Sequence, residues 1–139
     1  VFCPVDHKIW VSTSPWQCGR FVCYDIDKVF ASDFRGEIRN ASEDISQDPF
    51  VETEDYRKVL EFKELLPKVR EAAGERRQMD EDSLTYIIGL DSLYYGGYNA
   101  VGDYFRATGQ MEKAREYWGA ALAKKMKLSE RQYIENKLR

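Results

Sequence analysis

Residues 98–126 read YNAVGDYFRATGQMEKAREYWGAALAKKM. The stretch divides at Gly109 into two helical patterns, with Tyr98, Val101, Gly102 and Phe105 spaced along the first and Ala114, Trp118 and Ala121 along the second. Gly102 and Ala114 lack the bulk to hold the two helices apart. Phe105 and Trp118 are large enough to fill the space beside that close approach. The spacing therefore predicts a helical hairpin over about 95–128, turning at Gly109.

This hairpin resembles a single tetratricopeptide repeat, a helical unit of about 34 residues. Tyr98 takes the aromatic position, Val101 and Gly102 the Leu-Gly pair, and Phe105 the Tyr. Ala114, Trp118 and Ala121 match the small, aromatic and small positions of the second helix, and Met126 stands where the terminal Pro is expected. One period earlier the register fails, with Lys68 at the Gly position and Asp80 at the small position. A concave binding surface needs several stacked units. A lone hairpin therefore reads either as ordinary helix packing or as a peptide-binding groove.

Working outward, residues 53–139 form a helical region. Thr53 is placed to cap a helix whose apolar face is Val59, Phe62, Leu66 and Val69, and Pro67 should kink or restart it. A further helix is expected to be interrupted near Gly96 and Gly97, and Ser129 to cap the last one. Tyr86, Tyr94, Tyr95, Tyr98, Tyr104, Phe105, Tyr117 and Trp118 are read as mostly core because they fall at helical spacing. YYGGYN is the exception, since paired glycines beside tyrosines can bring backbone close to a partner. Tyr94, Tyr95, Tyr98 and Asn99 are accordingly the candidate partner-binding residues.

Before the helices the texture is different. Residues 1–30 hold VFCPV, KIWVS and GRFVCYDI, three short runs rich in β-branched and aromatic residues. Phe21, Cys23 and Asp25 alternate with Val22, Tyr24 and Ile26, so the third strand is apolar on both faces and calls for cover on both. Residues 31–52 are polar and rich in turn formers, read as a linker or surface connection, and include the sequon NAS at Asn40. The fold class is α+β: a short N-terminal antiparallel β-meander followed by a mostly α-helical, tetratricopeptide-like region.

Several function classes are disfavoured. A net charge of −3 with mixed signs supplies no basic footprint for nucleic acid. No apolar run approaches the roughly 20 residues that span a bilayer. Cys3, Cys18 and Cys23 read as buried, inert thiols, and His7, the one imidazole, falls in a turn. Neither a metal site nor a nucleophile–base pair follows from them, and no cofactor motif is present. Carboxylate pairs such as Asp80 and Asp82 read as solvated helix surface. No catalytic, cofactor-binding or metal-ligating residue is assigned in the chain.

The opening stretch VFCPVDHKIWVSTSPWQCGRFVCYDI resembles the C-terminal strands of the acyl-coenzyme A:6-aminopenicillanic acid acyltransferase family, also called peptidase family C45, within the N-terminal-nucleophile hydrolases. The matching residues are Phe2 to Asp6, Lys8 to Ser12 and Gly19 to Ile26. The resemblance implies a four-layer αββα enzyme whose nucleophile is a Cys exposed by self-cleavage, its own α-amino group serving as base. That Cys would lie upstream of residue 1, and none of the three cysteines here takes its place. On this expectation the chain begins within a strand because it is the non-catalytic C-terminal segment of a longer amide hydrolase or acyltransferase. Its partners are then the upstream catalytic part of the same polypeptide and, through the N-terminal strands, a second copy of the chain. The alternative is a small helical protein-interaction module of tetratricopeptide type.

Overall fold

The computed structural model describes residues 1–13, 17–31 and 35–139, so parts of the turn and the connection expected around 14–16 and 32–34 lie outside it. The chain is α+β, a three-stranded antiparallel sheet followed by helices, and forms two compact units, Val1–Tyr56 and Arg57–Arg139.

In the first unit, β1 (Phe2–Cys3), β2 (Lys8–Ser12) and β3 (Phe21–Asp25) pair in sequence order. His7 closes the β1–β2 turn with φ of 50°. The register sets Phe2 opposite Ile9, Ile9 opposite Tyr24, and Val11 opposite Val22. One face thus presents Phe2, Ile9, Val11, Val22 and Tyr24, and the other Lys8, Trp10, Phe21 and Cys23.

The expected strand residue Ile26 instead opens a short helix, α1 (Ile26–Phe30). The Asp25 carboxylate accepts a hydrogen bond from the Lys28 N–H (3.3 Å), a cap that turns the chain from strand to helix.

Residues 38–48 lie along the free edge of β3. Ile45 and Phe21 exchange both backbone hydrogen bonds at 2.9 Å, and the Asn40 and Asp48 amides donate to the Cys23 and Cys18 carbonyls, each at 2.9 Å. Within this segment Ala41–Glu43 makes a 3-10 turn. The Glu43 carbonyl accepts from the Trp10 indole (2.8 Å), and its carboxylate pairs with Lys8 (2.5 Å). The Lys8–Trp10 face is therefore covered by the unit's own chain. Opposite it, Phe2 and Val11 are about half exposed, at 55% and 47%. Cys23 is buried, whereas Cys3 and Cys18 are only half-buried, and none forms a disulfide.

The second unit holds most of the apolar core. Thr53 caps α2 (Glu54–Glu75) as its spacing predicted: its Oγ1 accepts from the Tyr56 N–H at 3.2 Å. Phe62, Leu66, Val69 and Ala72 form the buried stripe. Pro67 does not interrupt the helix. It faces solvent, and the Lys63 carbonyl that it leaves without an amide donor belongs to an exposed residue that water can reach.

Helix α2 runs past Gly74 and ends at Arg76, which takes a φ of 53° while its amide and that of Arg77 bond back to Ala73 and Ala72. α3 (Glu81–Leu90) is capped by Asp80 and buries Leu84, Ile87 and Ile88.

The expected break at Gly96 and Gly97 falls instead at Asp91–Tyr94, and both glycines lie in the first turn of α4 (Tyr95–Ala107). Gly97 packs closely, since a β-carbon there would lie 3.3 Å from the Phe62 ring.

α4 and α5 (Met111–Leu122) make the predicted hairpin. Gly109 (φ 83°) donates to the Arg106 carbonyl and Gln110 to that of Phe105, the pair of hydrogen bonds that ends a helix in a left-handed glycine. Trp118 lies directly on Gly102: a β-carbon there would sit 2.5 Å from Cδ1 of the indole and 3.1 Å from the Ala114 carbonyl. Trp118, Tyr104, Phe105 and Val101 are essentially inaccessible to solvent. Burying each such side chain contributes about 1.5–3 kcal/mol. The Tyr104 hydroxyl accepts from the Met79 N–H (2.8 Å), tying α4 to the α2–α3 connection.

Finally, α6 (Leu128–Leu138) packs through Ile134. It starts one residue ahead of the expected cap, so Ser129 lies within the helix, and the Glu130 carboxylate accepts from the Lys127 N–H instead.

Candidate functional site

The four candidate residues surround the N-terminus of α4 but do not share one surface. Tyr95 and Asn99, one helical turn apart, face α6. The Tyr95 hydroxyl is pushed well above the ordinary phenol range, first by burial and then by its hydrogen bond to the Glu130 carboxylate. It stays neutral in its setting. Asn99 Oδ1 accepts from Lys137 Nζ at 2.8 Å, and the same ammonium bonds both Asp103 carboxylate oxygens at 2.7 and 2.8 Å. The Lys137 side chain is only 7% exposed, and its Nζ also lies over the Tyr133 and Trp118 rings. Tyr98 points to the end of α5: Lys124 Nζ lies 4.6 Å from its ring, and its hydroxyl donates to the Ser92 carbonyl. Three of the four therefore hold helices together.

Tyr94 is different. It is exposed and packs edge-on against both Phe62 and Tyr95, at centroid distances of 5.9 and 5.0 Å. It lines a groove of about 370 Å³ on α2, with Val59, Phe62 and Leu66 as apolar wall and Arg70 and Asp91 at the margin. YYGGYN thus contributes one accessible aromatic ring rather than a four-residue patch.

A larger groove, about 540 Å³, runs between α2 and α3. Leu65, Met79 and Ile87 form its floor, and Glu61, Asp80 and Asp82 its rim. Tyr86, expected in the core, is 53% exposed here, and its hydroxyl donates to Glu61 Oε1 at 2.8 Å. The carboxylates expected to be plain solvated surface have separate tasks. Asp80 caps α3 by accepting from the Ser83 N–H (3.0 Å) and hydroxyl (3.1 Å). Glu81 pairs with Lys113 of α5. The sequence signal for this groove was Met79 and Tyr86 flanking the DED run, which polarity alone assigned to solvent.

A third polar cluster belongs to the first unit. Asp44 receives Arg39, Arg20 (2.5 Å) and the Cys23 N–H (3.0 Å) on a carboxylate that is 6% exposed. Chiefly through the Arg39 hydrogen bond, and then that of the Cys23 amide, its pKa is held down to about 2. Burial pushes the Cys23 thiol up, away from the reactive thiolate. His7 Nδ1 meets Asp27 at 3.0 Å, and Cys3 Sγ donates to Asp6 at 3.3 Å.

Among the described residues no three His, Cys, Asp or Glu side chains gather around a point where a metal ion could sit, and no helix is long and apolar enough to cross a membrane. Among the described residues the arrangement offers the grooves on α2 and between α2 and α3, and the ion-pair networks of Lys137 and Asp44. No family model, curated protein or solved structure matches the chain.

Proposed function

We propose that the chain is the non-catalytic C-terminal segment of a self-processing amide hydrolase or acyltransferase of the N-terminal-nucleophile kind. One observation carries this reading. The sheet has one face covered by its own Glu43 turn and an opposite face, Phe2, Ile9, Val11, Val22 and Tyr24, that is largely apolar, with Val22 buried but Phe2 and Val11 about half exposed. A sheet face of that composition belongs against another layer. The catalytic sheet of the upstream polypeptide supplies such a layer, and the reacting cysteine with it. Residues 1–139 then contribute strands and a helical appendage, with no reacting group of their own.

The test is to express the polypeptide encoded upstream of residue 1 together with residues 1–139 and to assay release of free amine from acyl amides. The pair is expected to co-purify and hydrolyse the amide. Replacing the upstream cysteine by Ser should abolish activity, whereas Cys3→Ser or Cys18→Ser should leave it. An upstream coding sequence without such a cysteine, or an assembled pair with no amidase activity, would overturn the reading.

A second reading, a helical protein-interaction module of tetratricopeptide type, is favoured by Tyr94 standing exposed over an apolar groove on α2. It predicts that the helical region captures a peptide with no upstream polypeptide present.

A further inference from the structure

We propose that the groove between α2 and α3 docks a basic peptide segment carrying one apolar anchor residue. This inference holds whether the chain completes an enzyme or acts as a module, because every wall of the groove lies within the helical unit.

The floor of Leu65, Met79 and Ile87 offers apolar surface in a depression of about 540 Å³, within the size range of sites that bury a ligand's side chains. An anchor such as Leu, Met or Phe gains there by leaving water. Its walls come from two helices, and grooves between helices can take amphipathic segments.

The rim selects the charge. Glu61 on α2, Asp80 at the cap of α3 and Asp82 in its first turn bring three carboxylates around the floor. The one cation on the lining, Lys68, is already paired with Glu64 at 2.9 Å, and that pairing holds the Glu64 carboxyl below its ordinary range. Asp82 has no ion-pair or hydrogen-bond partner among the described residues, unlike its neighbour Glu81, which is held by Lys113. An acidic peptide meets repulsion here. A Lys or Arg placed two or three residues from the anchor meets the rim while the anchor enters the floor, so the two features select together.

The test uses the full 139-residue chain and fluorescein-labelled peptides followed by anisotropy. The probes are Lys-Arg-Gly-Leu-Lys-Arg, its counterpart with Leu replaced by Ser, and its counterpart with every cation replaced by Glu. The first should bind at least tenfold more tightly than either counterpart. Asp82→Lys should weaken it at least fivefold, and Tyr86→Ala, which removes the exposed ring at the margin, at least threefold. Glu116→Lys makes the same charge change on an exposed residue outside the groove and should leave binding within twofold. Circular dichroism of each variant confirms the helical fold, and Asp82→Lys changes only an exposed side chain. Equal binding of the Leu and Ser peptides, equal competition by spermine, or equal weakening by Asp82→Lys and Glu116→Lys would reduce the effect to bulk charge and overturn the proposal. Failure of all three peptides to bind would overturn it as well. None of these outcomes bears on amidase activity, so the two proposals fail separately.

Discussion

At the scale of single residues, the hairpin turns on whether an indole may lie against a bare backbone. Gly102→Ala drives a β-carbon into Trp118 and the Ala114 carbonyl, and neither can retreat because the ring is fully enclosed. Overpacking of this kind costs about 1–3 kcal/mol. Urea titration of Gly102→Ala is expected to show that loss. Gly119, inside α5 with open space around its missing β-carbon, gives the opposite sign: Gly119→Ala should stabilise by about 0.5–1 kcal/mol through helix propensity. Equal effects at the two positions would mean that close approach has no part in the hairpin. The close approach at Gly102 was legible in the sequence, where it fell on the packed face. The end of α2 was not. Gly74 advertises a terminus, yet the left-handed residue is Arg76, because Ala72 and Ala73 must reach the core before the chain can turn.

At the scale of elements, two ion-pair networks fasten pieces that periodicity could not connect. Lys137 and Asp103 are 34 residues apart, and no local pattern marks them as partners. Lys137→Met leaves the Asp103 carboxylate, 29% exposed, with only the longer contact to Arg106 at 3.9 Å. Water reaches Asp103, so the cost is expected near about 1–2 kcal/mol rather than the 3–5 kcal/mol of a fully enclosed pair. Amide hydrogen exchange should localise the loss to α6; uniform acceleration across all helices would contradict a role confined to docking that helix.

In the first unit, Asp44 joins residues 38–48 to β3. Its folded pKa is below the ordinary carboxylate value of 3.8, so folding favours the ionised form. That stabilisation is full above about pH 4, declines as the pH falls through the interval between 3.8 and about 2, and is absent below it. Amide signals of Cys23 and Asn40 followed by NMR should broaden or shift in that interval. The Asp44→Asn variant should lack the transition. The attachment of 38–48 was hidden in the sequence because it is made by backbone bonds from a polar stretch whose side chains show no alternation. The helical hairpin and its glycine turn were readable for the contrary reason: their signal is local and repeated.

For the molecule as a whole, apolar burial is distributed unequally. The enclosed cluster from Phe62 to Ile134 belongs entirely to the helical unit, while the buried apolar residues described in the first are Val22, Cys23 and Tyr56. A sheet of three short strands with so small an interior is marginal alone. Residues 53–139, which keep the Thr53 cap, are expected to melt cooperatively with helical circular dichroism, whereas residues 1–52 expressed alone should give no cooperative transition. A cooperative melt of 1–52 would undercut the reading of the sheet as a layer awaiting its complement. Of the four residues that the sequence grouped together, Tyr94 is exposed, whereas Tyr95, Tyr98 and Asn99 make contacts between helices. Which tyrosine faces outward depends on where α6 docks, and that is a long-range matter.

The indole seated on Gly102 also bears on how this chain can drift over generations. Neither position can change alone without passing through a less stable intermediate, so their histories are coupled. A lineage that trades the glycine for alanine should already have replaced the double ring by a smaller side chain. In a library randomised at both sites and sorted for folded protein, survivors are expected to form linked pairs, with tryptophan found opposite glycine and smaller apolar residues opposite alanine.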